Sequence, residues 1–488
     1  MQILYVSPEV APFAKTGGLA DVAGALPIAL ERLGHEVKVV MPKYGSVDAS
    51  RWAFQPGGAV TASLAGRDHR FDVWKGRLPG SGVEAILLAN DRLFGRPGLY
   101  QEQGVDYADN LERFSAFSRA VIELPGLLSW SPDLLHANDW QTALTVAYLR
   151  LRSRGGAQPS PATLFTIHNI GYMGLFPAAA FPALGLPPDF FTPETMEFYG
   201  QINVMKAGLV FGTLLNTVSP TYSREIQTPE LGHGLDGVLR KRRQELFGIV
   251  NGVDYTQWDP AQDPHLPRPY TAQDPSGKRL CKSALQKECG LPVAPAPLLG
   301  MITRLAPQKG VDLVLETLDE LMRLEVQMIV LGSGDPALHE ALQRAAARHP
   351  RQLAVRLVFD EPLAHRIEAG ADIFLMPSRY EPCGLNQLYS LRYGTIPIVR
   401  RTGGLADTVI DATPSNLASG AATGVVFDAP SRRDLLAAVR RALTLYQDGA
   451  AWTRMMRTAM AADYSWERSA RDYAGLYQQA MTRVRRGA

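Results

Sequence analysis

Cysteine is scarce in this 488-residue chain: Cys281, Cys289 and Cys383 are an odd number with no metal-ligand spacing. That excludes a disulfide framework and points to reduced thiols. Neither sign of charge is in excess, since 50 Lys and Arg against 48 Asp and Glu leave a net charge of +2. Neither nucleic acid nor an anionic membrane is therefore expected as a main partner. No apolar run is long enough to span a bilayer, and the N-terminus opens on the strand-like Ile3-Leu4-Tyr5-Val6, with no basic region or long apolar stretch ahead of it. The expectation is a cytoplasmic protein without an export signal or membrane anchor.

What the chain does have is a repeated string. Thr16-Gly17-Gly18-Leu19-Ala20-Asp21, preceded by Lys15, recurs as Thr402-Gly403-Gly404-Leu405-Ala406-Asp407, each copy after an apolar strand-like run and before a helical pattern. Paired glycines let a backbone approach a ligand closely, and a helix starting at the following Leu aims free N–H groups and its positive dipole end at an anion. The two copies read as a pair of candidate phosphate or sugar sockets; an ordinary strand-to-helix turn is the competing reading.

The length, with 46% hydrophobic and 20% charged residues, suits two large domains. Short apolar strands (Ile3 to Val6, Val37 to Met41, Leu134 to Ala137, Leu164 to Ile167) alternate with helix-length Ala/Leu-rich segments, a parallel βα rhythm. Pro260, Pro264, Pro267, Pro269 and Pro275 mark a stretch read as a connection. A second series follows at Leu298 to Ile302, Val326 to Leu331, Val355 to Phe359, Ile373 to Met376 and Ile396 to Val399. The expected fold class is α/β, with two doubly wound Rossmann-like domains facing a deep interdomain cleft. The expected limits are 1–247 and 248–463, with a C-terminal helix in 464–488, N-capped by Ser465, packing back toward the N-terminal domain. The basic run Arg240 to Arg243 reads as a solvated helical face.

Open parallel sheets bind ligands beyond the carboxyl ends of their strands, and polar residues gather there. Arg304 and Lys309 share one loop, a planar fork and a mobile point charge suited to a diphosphate leaving group; two solvated cations are the alternative. No Asp-x-Asp, the acidic pattern many sugar-nucleotide enzymes use to hold a metal, occurs in the chain, and the fixed cations would replace the metal. Glu381, ahead of Pro382-Cys383-Gly384-Leu385, would face the cleft and meet sugar hydroxyls, or would only complement a helix dipole. His168 and Asn169 follow a strand; His168 is a ligand contact or a satisfied core histidine. Asp139 and Asp21 lie near helix starts and also suit helix caps. Gly332-Ser333-Gly334-Asp335 matches a loose dinucleotide-binding pattern, but after a second strand it is better read as a tight turn.

Taken together, Pro8-Glu9-Val10-Ala11-Pro12-Phe13-Ala14-Lys15-Thr16-Gly17-Gly18-Leu19-Ala20-Asp21, Asp139-Trp140, His168-Asn169, Thr228-Pro229-Glu230, Gly234-Leu235-Asp236-Gly237, Asn251-Gly252-Val253-Asp254 and Glu381-Pro382-Cys383-Gly384-Leu385 resemble the bacterial glycogen synthase and plant starch synthase family, in its order and over essentially the whole chain. The resemblance implies a GT-B glycosyltransferase that moves glucose from ADP-glucose to the non-reducing end of an α-1,4-glucan, needing no metal or other cofactor. It implies that Lys15 and Gly18, with Gly17 beside them, lie near the donor phosphates, and that Arg304 and Lys309 hold the diphosphate. Gly384 and Leu385, after Cys383, would offer it backbone N–H groups. It further implies that His168, Asn251 and Glu381 contact the transferring glucose, with Asn169 next to His168, Asp139 and Asp21 lining the cleft and Tyr100 near it. The chain departs from the family pattern at Asn386, where Thr is usual, and at Asn138, where His is frequent. Because only one acid is strongly placed, a front-face retaining route is preferred to the two-carboxylate route of hydrolases. A transferase using UDP-glucose or another acceptor, a sugar-nucleotide epimerase of the same architecture, and a non-catalytic glucan-binding protein stay open as alternatives.

Overall fold

The computed structural model describes residues 1–154 and 160–487. The chain divides into two compact units: unit 1 is Met1–Val218, Ser223–Gly252 and Trp466–Ala488, and unit 2 is Ser219–Tyr222 with Val253–Ser465.

Unit 1 is built on a nine-stranded sheet. Its strands are β1 (Gln2–Val6), β2 (Glu36–Pro42), β3 (Gln55–Leu64), β4 (Arg67–Arg77), β5 (Glu84–Ala89), β6 (Leu134–Asn138), β7 (Ala162–Ile167), β8 (Leu214–Thr217) and β9 (Leu246–Gly248), in the order β9-β8-β7-β6-β1-β2-β5-β4-β3. From β9 to β5 every pairing is parallel. Their near-continuous apolar runs are what a sheet covered on both faces requires. The expected parallel rhythm breaks at β3 and β4, which pair antiparallel with each other and with β5. Their alternating buried and exposed residues, with the Ala65-Gly66 turn at positive φ, are the mark of a hairpin with one wet face.

Helix α1 (Gly18–Arg32) follows β1, and α2 (Trp140–Arg154) follows β6. The C-terminal helix Trp466–Gly487 packs on unit 1: Tyr477 Oη meets His136 Nδ1 at 2.8 Å, Asn216 Nδ2 donates to Tyr473 Oη at 3.0 Å, and Arg32 pairs with Glu467 at 2.8 Å. Arg242 departs from the solvated-face reading. It is half-buried and donates to the carbonyls of Leu209, Val210 and Thr213.

Unit 2 holds a six-stranded, wholly parallel sheet: β10 (Leu298–Ile302), β11 (Gln327–Leu331), β12 (Leu353–Arg356), β13 (Ile373–Met376), β14 (Ile396–Arg400) and β15 (Val425–Phe427), ordered β12-β11-β10-β13-β14-β15. Strand β12 ends three residues short of the expected Phe359, leaving Val358 and Phe359 exposed on the following loop. The proline-rich stretch is no free connection but part of the core of this unit. Trp258 stacks between His365 and Tyr389 at 3.7 and 3.9 Å, and Tyr270 Oη donates to the Tyr393 carbonyl at 2.8 Å. Aromatic burial of this kind outweighs the absence of regular structure. All three cysteines are buried and free. Among the described residues no helix is long and apolar enough to cross a membrane.

Candidate active site

In unit 1 the first glycine string opens the β1–α1 junction. Gly17 is extended (φ −152°), and a Cβ built on it meets nothing within 4 Å, so the face of this loop is open. Lys15 Nζ lies 2.7 Å from Asp21 Oδ1 across the first turn of α1; both side chains are about one-third exposed, which limits such a pair to about 0–1 kcal/mol. The N–H groups of Thr16 and Gly17 do not point outward as a socket for an external anion. They donate to the carboxylate of Glu9, at 2.5 and 3.2 Å, which also accepts from Thr16 Oγ1 at 2.6 Å and Tyr100 Oη at 2.7 Å. Glu9, only 4% exposed, thus anchors two candidate residues at once. Sequence reasoning assigned it no role, because a lone Glu between a strand and a proline carries no chemical signature. Burial, with Glu9 next, pushes the Tyr100 hydroxyl well up, so it stays a donor.

The ends of β6 and β7 meet through Asp139, whose φ is +56°. Its N–H donates to the Thr166 carbonyl at 3.0 Å, and its Oδ1 accepts the His168 N–H at 2.7 Å. Asp139 therefore ties two strand ends together, and its carbonyl also accepts the Thr142 N–H of the helix that it precedes, at 3.2 Å. Burial pushes its carboxyl up to about 7, against the pull of the His168 and Asn169 N–H groups. His168 is half-buried, its Nε2 is 2.9 Å from Asn138 Oδ1, and burial pushes its pKa down to about 3. The ring is neutral at physiological pH. Asn169 Oδ1 accepts from Gly171 N at 3.0 Å and closes a turn. Asn251 is buried, and among the described residues its Oδ1 has no hydrogen-bond partner. A buried orphan acceptor of this kind awaits a donor.

In unit 2 the loop after β10 carries both expected cations and leads into helix α3 (Val311–Met322). Gly310 sits at φ +69°, and a Cβ there would stand 2.2 Å from the Pro377 carbonyl oxygen, so the loop lies directly on the end of β13. Gln308 reinforces this: its carbonyl accepts from Arg379 N at 2.8 Å and its side chain donates to the Tyr380 carbonyl at 3.2 Å. Lys309 Nζ is held 2.6 Å from Glu381 Oε2, which also accepts from Ser378 Oγ at 3.0 Å. The structure thereby joins two of the four residues expected to do chemistry. The pair is shielded, with side-chain exposures of 18% and 6%, so it is screened far less than the Lys15–Asp21 pair. Arg304 is exposed on the same loop.

Gly332-Ser333-Gly334-Asp335 braces this loop and is the tight turn expected. Leu305 N donates to Ser333 O at 2.9 Å, Asp335 N donates to Leu305 O at 2.8 Å, and Asp335 caps helix α4 (Pro336–Arg348) by accepting from Ala337 N at 2.7 Å. Helix α5 (Asn386–Arg392) starts one residue after the expected Leu385, which is its N-cap. Gly384 precedes it at φ +76°, and Cys383 is 4% exposed. Asn386 Nδ2 donates to the Ile302 carbonyl at 2.7 Å, joining α5 to the end of β10.

The second glycine string, at the start of helix α6 (Gly403–Thr408), is not an open socket. Gly403 sits at φ +44°, and Cβ atoms on Gly403 and Gly404 would stand 1.9 Å from the Glu381 carbonyl oxygen and 2.1 Å from that of Cys383. Gly404 N donates to the carbonyls of Glu381 and Pro382, each at 3.1 Å. Asp407 accepts from Ser219 Oγ and from Thr221 N and Oγ1. Phe359, counted within a strand from the sequence, is 79% exposed beyond the end of β12. Among the described residues no group of three His, Cys, Asp or Glu is placed to hold a metal ion.

Comparison with known proteins follows the same division. Residues 2–241 match the starch synthase catalytic domain model, and residues 290–458 match glycosyl transferases group 1. Over 481 residues the chain is 53% identical to a glycogen synthase of Anaeromyxobacter dehalogenans, covering 98% of this chain and 99% of that one. The chain belongs to the glycogen synthase and starch synthase family. A glycogen synthase 1 of Methylococcus capsulatus is 48% identical, covering 100% of this chain and 98% of that one. The catalytic domain of starch synthase IV from Arabidopsis thaliana, solved bound to ADP and acarbose, superposes with a TM-score of 0.91 at 34% identity, over 98% of this chain and 99% of that one. A sucrose-phosphate synthase from Thermosynechococcus elongatus, at 18% identity and a TM-score of 0.61 over 99% of each chain, shares the fold alone. This member of the family is a GT-B glycosyltransferase with two Rossmann-like domains, as its sequence pattern implied.

Proposed function

We propose that the chain transfers glucose from ADP-glucose to the non-reducing end of an α-1,4-glucan such as glycogen, releasing ADP, with retention of the α configuration and without a metal. The observation that carries the reading is the shielded Lys309–Glu381 pair, 2.6 Å apart, its lysine on the loop that also presents Arg304. The relatives named glycogen synthase and the starch synthase solved with ADP support it.

The roles follow from the groups available. Arg304 and the free N–H donors of Lys309 take up the charge that develops on the leaving diphosphate, the work a metal does elsewhere. Backbone N–H groups of Gly384 and Leu385 add to them, with Lys15 and Gly18 as phosphate contacts of unit 1. Glu381 offsets positive charge on an oxocarbenium-like glucose, and His168 and the orphan amide oxygen of Asn251 meet its hydroxyls. In the front-face step the C1–O bond to the diphosphate breaks while the acceptor O4 bonds to C1 on the same side. The O4 proton passes to the leaving phosphate oxygen, so no second carboxylate is needed. Phe359, the most exposed large apolar side chain of unit 2, offers its ring to the nucleobase. A cytoplasmic setting goes with this reading.

Coupled detection of ADP or UDP release, with ADP-glucose and UDP-glucose run in parallel, with and without glycogen, tests it. Glycogen-dependent release of ADP, undiminished by EDTA, is expected. Equal or greater release from UDP-glucose overturns the donor, release without glycogen overturns the acceptor, and loss in EDTA with rescue by magnesium overturns the metal-free route.

A further inference from the structure

Asn138, at one of the two positions where this chain departs from the family pattern, lies in contact with His168. It is fully buried at the end of β6, and its amide orientation is decided by its surroundings. Nδ2 donates to the Val6 carbonyl at 2.9 Å, while Oδ1 accepts from Tyr5 Oη at 3.2 Å and faces His168 Nε2 at 2.9 Å. Turning the amide over would set Oδ1 against the Val6 carbonyl and Nδ2 against the Tyr5 hydroxyl, which would lose its acceptor. The backbone is fixed as well: Asn138 N donates to Thr142 Oγ1 at 2.6 Å, and that hydroxyl donates to the Asn138 carbonyl at 2.7 Å. The oxygen facing the imidazole is therefore a pure acceptor, and the nitrogen opposite it must carry a proton.

Neighbouring residues of a strand normally point to opposite faces. Here the left-handed backbone at Asp139 (φ +56°) brings two consecutive side chains onto one histidine, Asp139 on its backbone N–H and Asn138 on its ring. Strain held at such a position is a mark of function. Among the described residues nothing bonds to the other ring nitrogen, Nδ1.

We propose that Asn138 is a positioning residue that locks His168 in the Nε2–H tautomer, so that Nδ1 presents its lone pair as an acceptor for a hydroxyl of the bound sugar. The assignment of that hydroxyl to a sugar rests on the transferase reading; the tautomer does not. A ring with Nδ1–H would offer the same hydroxyl a donor in place of an acceptor, and a neutral imidazole does not supply both roles at one nitrogen. With its pKa held near 3, the ring stays neutral through the physiological range, so the lock is not undone by protonation.

Long-range 1H–15N correlation spectra of the full chain, labelled at its nine histidines and assigned with His168→Gln, read the tautomer without any assay of activity. For His168 a pyridine-type Nδ1 and a pyrrole-type Nε2 are expected at pH 7. The reverse pattern, or two averaged signals, overturns the proposal. Asn138→Leu removes the acceptor and should move both signals toward averaging, with kcat/KM for the sugar donor falling about five- to tenfold, the size of one neutral hydrogen bond. Asn138→Asp, protonated in this buried place, can donate to the Val6 carbonyl and keep an acceptor on His168, and should keep the wild-type pattern. An unchanged spectrum in Asn138→Leu shows that some other group sets the tautomer. Should that variant fail to fold, the wild-type and Asn138→Asp spectra still decide. A locked tautomer in a protein without glucosyl transfer would sink the function and leave this inference standing.

Discussion

The two Thr-Gly-Gly-Leu-Ala-Asp strings are identical in letters and opposite in use. Around the first, a buried carboxylate, Glu9, grips the backbone from behind and the glycine face is left open beside Lys15. Around the second, both glycines are pressed against the carbonyls of Glu381 and Cys383, and Asp407 is held by Ser219 and Thr221. One string exposes a loop; the other supports the turn that carries Glu381. A glycine pair allows a close neighbour, and only the fold decides whether the chain's own backbone takes that place, as at the second string, or leaves it open, as at the first.

The sharpest test of this contrast is at the chemistry the second string supports. Lys309→Ala or Arg304→Ala is expected to lower kcat by two or more orders of magnitude, as for other lost electrostatic stabilisers of a transition state. Steady-state kinetics showing near-normal turnover would separate the Lys309–Glu381 pair from the reaction. Next in size is the comparison of the glycines themselves. Gly403→Ala, with positive φ and no room for a Cβ, should lower the unfolding free energy of the variant by about 3 kcal/mol, combining left-handed strain with overpacking. Gly17→Ala, where a Cβ meets open space, should change it by less than about 1 kcal/mol and reduce activity instead. Equal costs in denaturant titrations would erase the distinction between the two strings.

A smaller effect is expected from Phe359→Ala: about a tenfold rise in KM for the nucleotide sugar with kcat little changed, as for loss of one stacking contact made equally in ground and transition states. A fall in kcat at constant KM would contradict its role as a base platform. The last is read across pH and concerns Asp139. Its folded pKa of about 7 lies above the usual unfolded value near 3.9, so the folded state holds the proton between them. Its contribution to stability is complete below about pH 4 and is lost as pH rises through about 7. Asp139→Asn removes that loss, so melting temperatures should show the variant gaining on wild type between pH 4 and 8. A pH-independent difference would show that the carboxyl is not held protonated by burial.

Much of the architecture was legible in the residues, because buried parallel strands leave continuous apolar runs, as at Leu298 to Ile302 and Ile373 to Met376. The β3–β4 hairpin was not, since half of its residues face water and its signal is alternation in place of a continuous apolar run. Arg304, Lys309, Glu381 and His168 stood out as polar or charged residues at strand ends. Glu9 did not, and Asn138 did so only as a departure from the family pattern, because their importance lies in which atoms they face. The proline-rich stretch misled for a similar reason: prolines report broken regularity, whereas Trp258 and Tyr270 decide that the segment is packed. Asn386 looks like a ligand contact in one dimension, and only in three does the bond from its amide nitrogen to the Ile302 carbonyl come into view.

The central claim is glucosyl transfer with the α configuration kept, and isotopic tracing reads it directly. After incubation with glycogen and ADP-glucose labelled with 13C at C1 of the sugar, 13C NMR should show the label in α-1,4 linkage at non-reducing ends, one glucosyl for each ADP released. Label appearing as β-linked glucose, or as free glucose with none in the polymer, would contradict the account.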